Sequence, residues 1–201
     1  MNMNHFNIVI LDFETSGLNP YHDDIIEIGA KVYQSDKTFS TLVIPKSLNP
    51  ISEKIINITN ITNKMLKEQG KEWSKACQDF IEWLLSVFSP HSVNLLVSHN
   101  GDSFDFLFFR KMLQDMKKEH HIHMDGIHIQ YIDTILLAKR TLPKRYSYSQ
   151  SSLCKTYQIQ NDAEHRAMGD VLALEKLFEK LINNVPDTYH FQFELYNRLL
   201  I

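Results

Sequence analysis

The stretch that decides the fold is NIVILDFETSGLNP, residues 7–20, where an apolar run passes into alternating acidic residues and a polar turn. Ile8 to Leu11 form the apolar run, which is typical of a strand buried on both faces. Asp12 and Glu14 follow it two residues apart, and such side chains share one face of a strand. A buried carboxylate is costly unless it is paired or holds a metal. Because such a pair alone is more often structural or solvated than catalytic, its purpose depends on the other acids of the chain.

The pattern along the rest of the chain predicts an α/β fold with a mixed sheet. Two further strands directly follow the first, and single strands then alternate with helices. The predicted strands are residues 6–12, 25–34, 38–45, 94–100 and the beginning of 129–138. The predicted helices are residues 62–70, 72–88, 104–118, 167–184 and 188–200. Residues 1–201 contain no repeat and no Pro/Gly/Ser-rich linker, so we expect a single domain.

Composition and charge narrow the class of protein. The chain is 43% hydrophobic and 22% charged, as in ordinary globular proteins. It has no apolar run long enough for a membrane helix and no secretory signal at its start, and its two cysteines show no metal or redox spacing. We therefore expect an intracellular protein, in the cytoplasm or the nucleus, without a membrane partner. The net charge of −3 argues against bulk electrostatic coating of nucleic acid, but leaves a local binding site open.

A further acid, Asp105, lies in the segment SHNGDSFDFLFF, residues 98–109. We expect a strand to end at Ser98 and Asp105 to fall in the first turn of the next helix, where the helix dipole favours a carboxylate. A helix-start acid without catalytic purpose is the competing interpretation. Phe104 adjoins the acid and is a candidate for substrate contact, whereas the other phenylalanines of the segment are expected in the core.

The segment HRAMGDVLAL, residues 165–174, adds another acid and a histidine. Asp170 shares a helical face with the apolar residues that should pack on the sheet: Leu174, Leu177 and Leu181. His165 would lie about 140° away from Asp170 on a continuous helix. If both serve one site, His165 must therefore lie on a loop or on a frayed first turn.

Taken together, these residues point to one kind of chemistry. Four carboxylates are hard oxygen ligands suited to Mg²⁺ or Mn²⁺: Asp12, Glu14, Asp105 and Asp170. Two such ions can hold a phosphodiester, activate a water and stabilise the leaving oxygen. Histidine titrates near neutral pH, so His165 can take the proton of the water. We therefore expect metal-dependent phosphodiester hydrolysis.

The motifs themselves resemble those of a known family. The segments LDFETSGL, SHNGDSFDFLFF and HRAMGDVLAL resemble, in order and spacing, the three motifs of the DnaQ-like, DEDDh-type 3′–5′ exonucleases. The spelling HNGDSFD is most similar to the three-prime repair exonucleases. The segments IIEIGA and YIDTILLAKR are also similar to the family, so the resemblance covers about residues 6–184. It implies a ribonuclease-H-like fold, with a mixed five-stranded sheet flanked by helices.

The resemblance also implies roles for individual residues. The metal ligands, for two Mg²⁺ or Mn²⁺ ions, fall on four carboxylates: Asp12, Glu14, Asp105 and Asp170. The general base falls on His165. Contacts to the terminal nucleotide fall on Thr15, Leu18 and Ile58, the two apolar side chains as wedges between bases. Asn60 stands where the family usually has glycine, which makes Ile58 a weaker match.

The function expected from this resemblance is removal of 5′-mononucleotides, one at a time, from the 3′ ends of single-stranded or frayed DNA. Two alternatives keep the enzyme class: a 3′–5′ exoribonuclease, and a proofreading subunit that needs a polymerase partner. A non-enzymatic alternative is an inactive nucleic-acid-binding module. Such a module would be expected to have lost an acid or the histidine, and this chain has all five residues. The related family is often dimeric, so a homodimer is a further expectation.

Two other stretches have competing interpretations. The segment AKRTLPKRYSYS, residues 138–149, either guides a single strand by phosphate contacts or is a solvated loop before a helix. The histidine-rich segment EHHIHMDGIH, residues 119–128, is either a metal site or a surface loop. It lacks the ligand spacing of structural zinc sites, which favours the loop.

Overall fold

The computed structural model describes residues 6–161 and 163–185, which contain a five-stranded sheet in the order β3-β2-β1-β4-β5. The strands are β1 Phe6–Thr15, β2 Ile25–Val32, β3 Thr38–Leu42, β4 Val93–Ser98 and β5 Ile129–Asp133. The pairs β1–β2 and β2–β3 are antiparallel, whereas β1–β4 and β4–β5 are parallel. The predicted mixed α/β sheet is therefore confirmed.

Seven α-helices surround the sheet in the described part of the chain. They are α1 Glu53–Thr59, α2 Asn63–Gln69, α3 Trp73–Val87, α4 Asp105–His120, α5 Thr134–Thr141, α6 Gln150–Thr156 and α7 Ala167–Asn183. Helix α1 was not predicted. Ser52 caps its start through its side chain, but its C-cap is Asn60, and it lacks the terminating glycine that marked the equally short α2. The helix expected at residues 188–200 lies outside the described residues. No helix among those described has the length and apolar character needed to cross a membrane.

Strand β1 sends alternate side chains to opposite layers of the domain. Ile8 and Ile10 pack in the core formed with α5, α6 and α7. Val9 and Leu11 pack on the other side, in the core formed with α3 and α4. The same alternation, continued along the strand, carries Asp12 and Glu14 to the side of α7. The prediction that β1 ends at Asp12 was three residues short, because β2 continues the ladder and pairs with β1 as far as Thr15.

The start of α7 is held against β2 by an ion pair and a glycine. Glu27 accepts hydrogen bonds from the guanidinium of Arg166, the shortest at 2.7 Å, and from the backbone N–H of Ala167 at 2.9 Å. A Cβ on Gly29 would lie 2.6 Å from the carbonyl carbon of Ala167, so only glycine permits this approach. Because Asp170 lies in the first turn of α7, these contacts bring it towards the acids of β1.

Candidate active site

Three of the predicted acids converge at the junction of β1 and α7. One carboxylate oxygen from each of Asp12, Glu14 and Asp170 lies within 4.8 Å of the others. Asp12 and Glu14 come from one face of β1, and Asp170 comes from the first turn of α7. Such a group of hard oxygen donors is suited to a divalent cation such as Mg²⁺ or Mn²⁺.

Asp105 lies beside this group with its oxygens turned to protein donors. The side chain is at the start of α4 and the residue is 1% exposed. One oxygen accepts the backbone N–H of Phe13 at 2.9 Å, and the other accepts the hydroxyl of Ser98 at 2.5 Å. Asp105 thus ties α4 to β1 and β4. It lies outside the group of three mutually close oxygens, but it is near enough to raise the pKa of Asp12.

Burial and crowding of like charge make these acids difficult to ionise. Burial raises the pKa of Asp12 well above its usual value, and the charges of Asp105 and Glu14 raise it further. Burial, followed by the charges of Asp170 and Glu27, raises the pKa of Glu14 to about 8, against a lowering effect of Arg166.

The pKa values of Asp105 and Asp170 are also raised, but hydrogen bonds to these two carboxylates oppose the shift. Burial raises the pKa of Asp105 to about 7, although hydrogen bonds from Ser98 and Phe13 oppose the shift. Burial also raises the pKa of Asp170, against hydrogen bonds from Asn161 and the backbone of His165. Excess negative charge in a poorly solvated place is what a bound cation would neutralise, so the donor set fits a divalent metal in both chemistry and charge.

His165 lies outside α7, as expected if it serves the same site as Asp170. The helix begins at Ala167, and His165 is exposed with a left-handed backbone, φ 63°. Its backbone N–H donates to Oδ2 of Asp170 at 2.9 Å. The neighbouring Arg166 is held by Glu27, so the backbone on both sides of the imidazole is anchored while the ring faces solvent.

Two residues of the site were missed by sequence reasoning, and both contact Asp170. Asn161 donates its amide N–H to Oδ1 of Asp170 at 2.7 Å. Gln150 donates to the same oxygen at 3.3 Å and to the backbone carbonyl of Asp170 at 3.0 Å. Both residues lie outside the three motifs, and no local pattern marks them.

A third missed residue, Asp133, organises the turn that precedes Asp105. Its carboxylate accepts the backbone N–H groups of Asn100 at 3.0 Å, Asp102 at 3.1 Å and Ile135 at 2.8 Å. Its position in the segment YIDTILLAKR, which resembles the family, was an available signal. Asp133 therefore joins the end of β5 to the turn before α4.

The predicted substrate-contact residues differ in exposure. Leu18, in the turn after β1, is 82% exposed, and Ile58, on α1, is 41% exposed. Thr15 is buried, and its hydroxyl donates to the carbonyl of Gly17 at 2.5 Å. Phe104 precedes α4 and packs on Phe108, with ring centroids 5.1 Å apart. Two exposed apolar side chains are thus available to a ligand, and the roles of all four residues stay predictions.

The basic and histidine-rich stretches form ordered surface segments. The guanidinium of Arg145 donates hydrogen bonds to the carbonyl of Ser147 and to the carbonyl and hydroxyl of Ser152. Tyr146, in contrast, is fully exposed. In the described part of the chain, the Asp12–Glu14–Asp170 group is the one place where three or more potential ligands meet. The histidines of residues 119–128 are not part of such a group.

Comparisons with known proteins agree with this geometry. An exonuclease family model, RNase_T, matches residues 9–178. The PolC-type DNA polymerase III of Ureaplasma parvum is 28% identical over 188 residues, 92% of this chain and 12% of that protein. The chloroplastic/mitochondrial exonuclease DPD1 of Arabidopsis thaliana is 29% identical over 184 residues, 87% of this chain and 55% of that protein. The chain thus spans from about an eighth to about half of the length of these relatives.

A solved structure shows the same fold. The zinc-bound complex of E. coli exonuclease I with single-stranded DNA matches with a TM-score of 0.70 at 18% identity, over 89% of this chain and 40% of that chain. This likeness confirms the ribonuclease-H-like fold. Because the family model covers most of the sequence, from the core of β1 to the middle of α7, the chain belongs to the RNase_T exonuclease family.

Proposed function

We propose that this chain is a metal-dependent 3′–5′ exonuclease that removes 5′-mononucleotides from the ends of single-stranded or frayed DNA. The observation that carries the proposal is the convergence of Asp12, Glu14 and Asp170 within 4.8 Å, in a chain of the exonuclease family. His165 follows as the candidate proton acceptor, since its backbone is bonded to one of these acids.

Two Mg²⁺ or Mn²⁺ ions would be held by the four carboxylates: Asp12, Glu14, Asp105 and Asp170. When bound, such ions lower the pKa of a water molecule and stabilise negative charge on a phosphodiester. Burial and mutual repulsion raise the pKa of Asp12 and Glu14, and a bound cation would favour the ionised form of both carboxyls. Asp105 would contribute from its position in the first turn of α4, held by Ser98 and by the backbone of Phe13.

His165 is the general base in this proposal. Its exposed side chain can take a proton from a water at the acidic group and release it to solvent. Because its backbone N–H bonds to Asp170, the Cα of His165 lies beside the proposed metal-binding acids. The bond uses the main chain, so the imidazole is not part of it.

The DNA end would lie against the two exposed apolar side chains, Leu18 and Ile58. Apolar contact with bases reads no particular sequence, which suits an enzyme that must accept every nucleotide. Thr15, at the end of β1, and Phe104, directly before α4, would contact the terminal nucleotide. The exposed Tyr146 and its basic neighbours provide a second surface for the single strand.

The direct test is a time course of purified protein with Mg²⁺ or Mn²⁺ on matched 5′-labelled single-stranded DNA and RNA. We expect a ladder that shortens from the 3′ end on DNA, and no shortening with Asp170→Ala. Faster loss of RNA would change the substrate to RNA and keep the mechanism. Absence of cleavage with either metal would contradict the proposal and favour a nucleic-acid-binding module.

A proofreading role is the second candidate, and the relatives named as PolC-type DNA polymerase III favour it. In that case the chain would act on the primer end of a polymerase. Copurification with a polymerase from the source cells, and faster removal of mispaired than paired 3′ ends, would support this role.

Sedimentation of the purified chain tests the homodimer that the family resemblance implies.

A further inference from the structure

We infer that Gln150 and Asn161 are positioning residues that hold the carboxylate of Asp170 for metal binding. This inference rests on the proposed function, because it assumes that Asp170 is a metal ligand. It adds two carboxamides that lie outside the recognised motifs. Both act through Asp170 and neither is proposed to touch the substrate.

Both carboxylate oxygens of Asp170 accept hydrogen bonds from the protein. Asn161 donates to Oδ1 at 2.7 Å, and the backbone N–H of His165 donates to Oδ2 at 2.9 Å. The carbonyl oxygen of the Asn161 side chain accepts the N–H of Ala163 at 3.2 Å. Asn161 therefore bonds both to the acid and to the segment that leads to His165, so that one side chain orients the ligand and the base together.

The segment that leads to His165 packs closely against α7. A Cβ on Gly169 would lie 2.2 Å from the carbonyl oxygen of Ala163, so the segment passes directly over the glycine. The N–H of Arg166 donates to the same carbonyl at 3.2 Å. With the backbone this close, a small displacement of Asn161 would be transmitted to His165.

Gln150 reaches Asp170 from a different element. It is the first residue of α6, and Leu153 on the same face of that helix is buried in the core that includes Leu174 of α7. The polar pair Gln150–Asp170 therefore lies at the end of an otherwise apolar contact between α6 and α7. Gln150 bonds to both the carboxylate and the backbone carbonyl of Asp170, which restrains the side chain relative to its own helix.

Partners that orient a metal ligand commonly change metal affinity by about 10- to 100-fold when they are removed. The test uses Gln150→Met and Asn161→Leu, which keep the approximate shape of each side chain and remove its N–H donors. Gln160→Met, at an exposed glutamine beside Asn161, is the matched control. Mn²⁺ is titrated calorimetrically into each protein without nucleic acid, and kcat and KM for single-stranded DNA are measured across Mg²⁺ concentrations.

We expect the Mn²⁺ dissociation constant to rise on the order of tenfold in both variants and to stay unchanged in the control. We also expect kcat to recover at high Mg²⁺ with little change in KM for DNA. A dissociation constant equal to that of the wild type in both variants would overturn the inference. Gln150→Ser and Asn161→Ser replace any variant that does not fold, as judged by circular dichroism.

The two proposals can fail separately. A wild-type protein that binds Mn²⁺ but cleaves no nucleic acid would contradict only the proposed function. The Mn²⁺ affinities of the variants would still decide whether Gln150 and Asn161 are positioning residues. A wild-type protein that cleaves DNA, with variants of unchanged metal affinity, would contradict the positioning roles alone.

Discussion

The backbone N–H of His165 donates a hydrogen bond to Oδ2 of Asp170, with 2.9 Å between the nitrogen and the oxygen. The candidate base and a candidate metal ligand are therefore joined through the main chain, and the imidazole takes no part in the bond. The left-handed backbone of His165, φ 63°, turns the chain into the first turn of α7 at this point. Side-chain substitutions can thus separate the two roles.

His165→Ala should lower the rate of cleavage and leave metal binding largely intact. Loss of a general base reduces rates by about 10²- to 10⁴-fold, whereas the backbone bond to Asp170 remains in the variant. Single-turnover rates and Mn²⁺ calorimetry measure the two properties. An equal loss of metal affinity would count against His165 as a base that does not bind the metal.

Asp170→Ala should abolish cleavage without unfolding the protein. The substitution removes one of three mutually close oxygens, while the apolar face of α7 that packs on the sheet is unchanged. We expect at least about a 100-fold weaker affinity for Mn²⁺, the upper range for partners that only orient a ligand. Asp170→Asn is the shape-matched control. Activity that persists in a pure preparation would refute the ligand assignment.

Without divalent metal, the protein should lose stability as the pH rises. Burial raises the pKa of Asp105 to about 7 and that of Glu14 to about 8, in each case above the value of the unfolded chain. The folded protein therefore binds more protons than the unfolded chain from about pH 4 to about pH 8, and the free energy of unfolding decreases through this range.

The measurement is thermal unfolding in EDTA between pH 5 and pH 8.5, repeated with Mg²⁺. We expect a falling Tm in EDTA and a larger stabilisation by Mg²⁺ at the alkaline end. Glu14→Gln removes one of the responsible carboxyls and should make the decline shallower. A Tm that rises with pH in EDTA, or an unchanged slope in Glu14→Gln, would contradict the assignment.

Arg166→Ala should destabilise the fold. Glu27 has a side chain that is 4% exposed, and the substitution leaves its charge without its partner. Because the Arg166 side chain is itself 37% exposed, breaking this half-buried pair should cost at most about 3 kcal/mol in the free energy of unfolding, the lower end of the range for buried pairs. Urea denaturation measures the loss, and Lys64→Ala, in an exposed ion pair with Glu68, is the control with an expected change below about 1 kcal/mol. Equal effects of the two substitutions would argue against the importance of the Glu27 contact.

Leu18→Ala should weaken DNA binding without changing stability. Leu18 is 82% exposed, so its truncation should alter the free energy of unfolding by less than about 0.5 kcal/mol. Loss of apolar contact with a base should raise KM for single-stranded DNA by about fivefold, the lower end of the range for aromatic stacking, since leucine has no ring to stack. Leu48→Ala, at a residue 79% exposed, is the matched control. The same KM in both variants would remove Leu18 from the substrate site.

Several features of the site could be predicted because they follow from local periodicity. Alternation along β1 indicated that Asp12 and Glu14 share a face, and they do. The angular separation of His165 and Asp170 required His165 to lie outside the helix, and α7 begins after it. The termination of β1 was predicted less well, since pairing with β2 depends on a second segment of the chain.

The sequence by itself determined that the fold is α/β with a mixed sheet, that the first strand is buried on both faces, and the kind of chemistry that its acids can perform, because side-chain periodicity and residue type are local properties. Only the tertiary structure decided which carboxylate oxygens face one another and which accept hydrogen bonds from the protein. Asp105 bonds to the N–H of Phe13, 92 residues away, and Asp170 to the side chain of Gln150, 20 residues away. Such partners are chosen when helices pack on the sheet, since most buried polar atoms then find a donor or acceptor within about 3 Å.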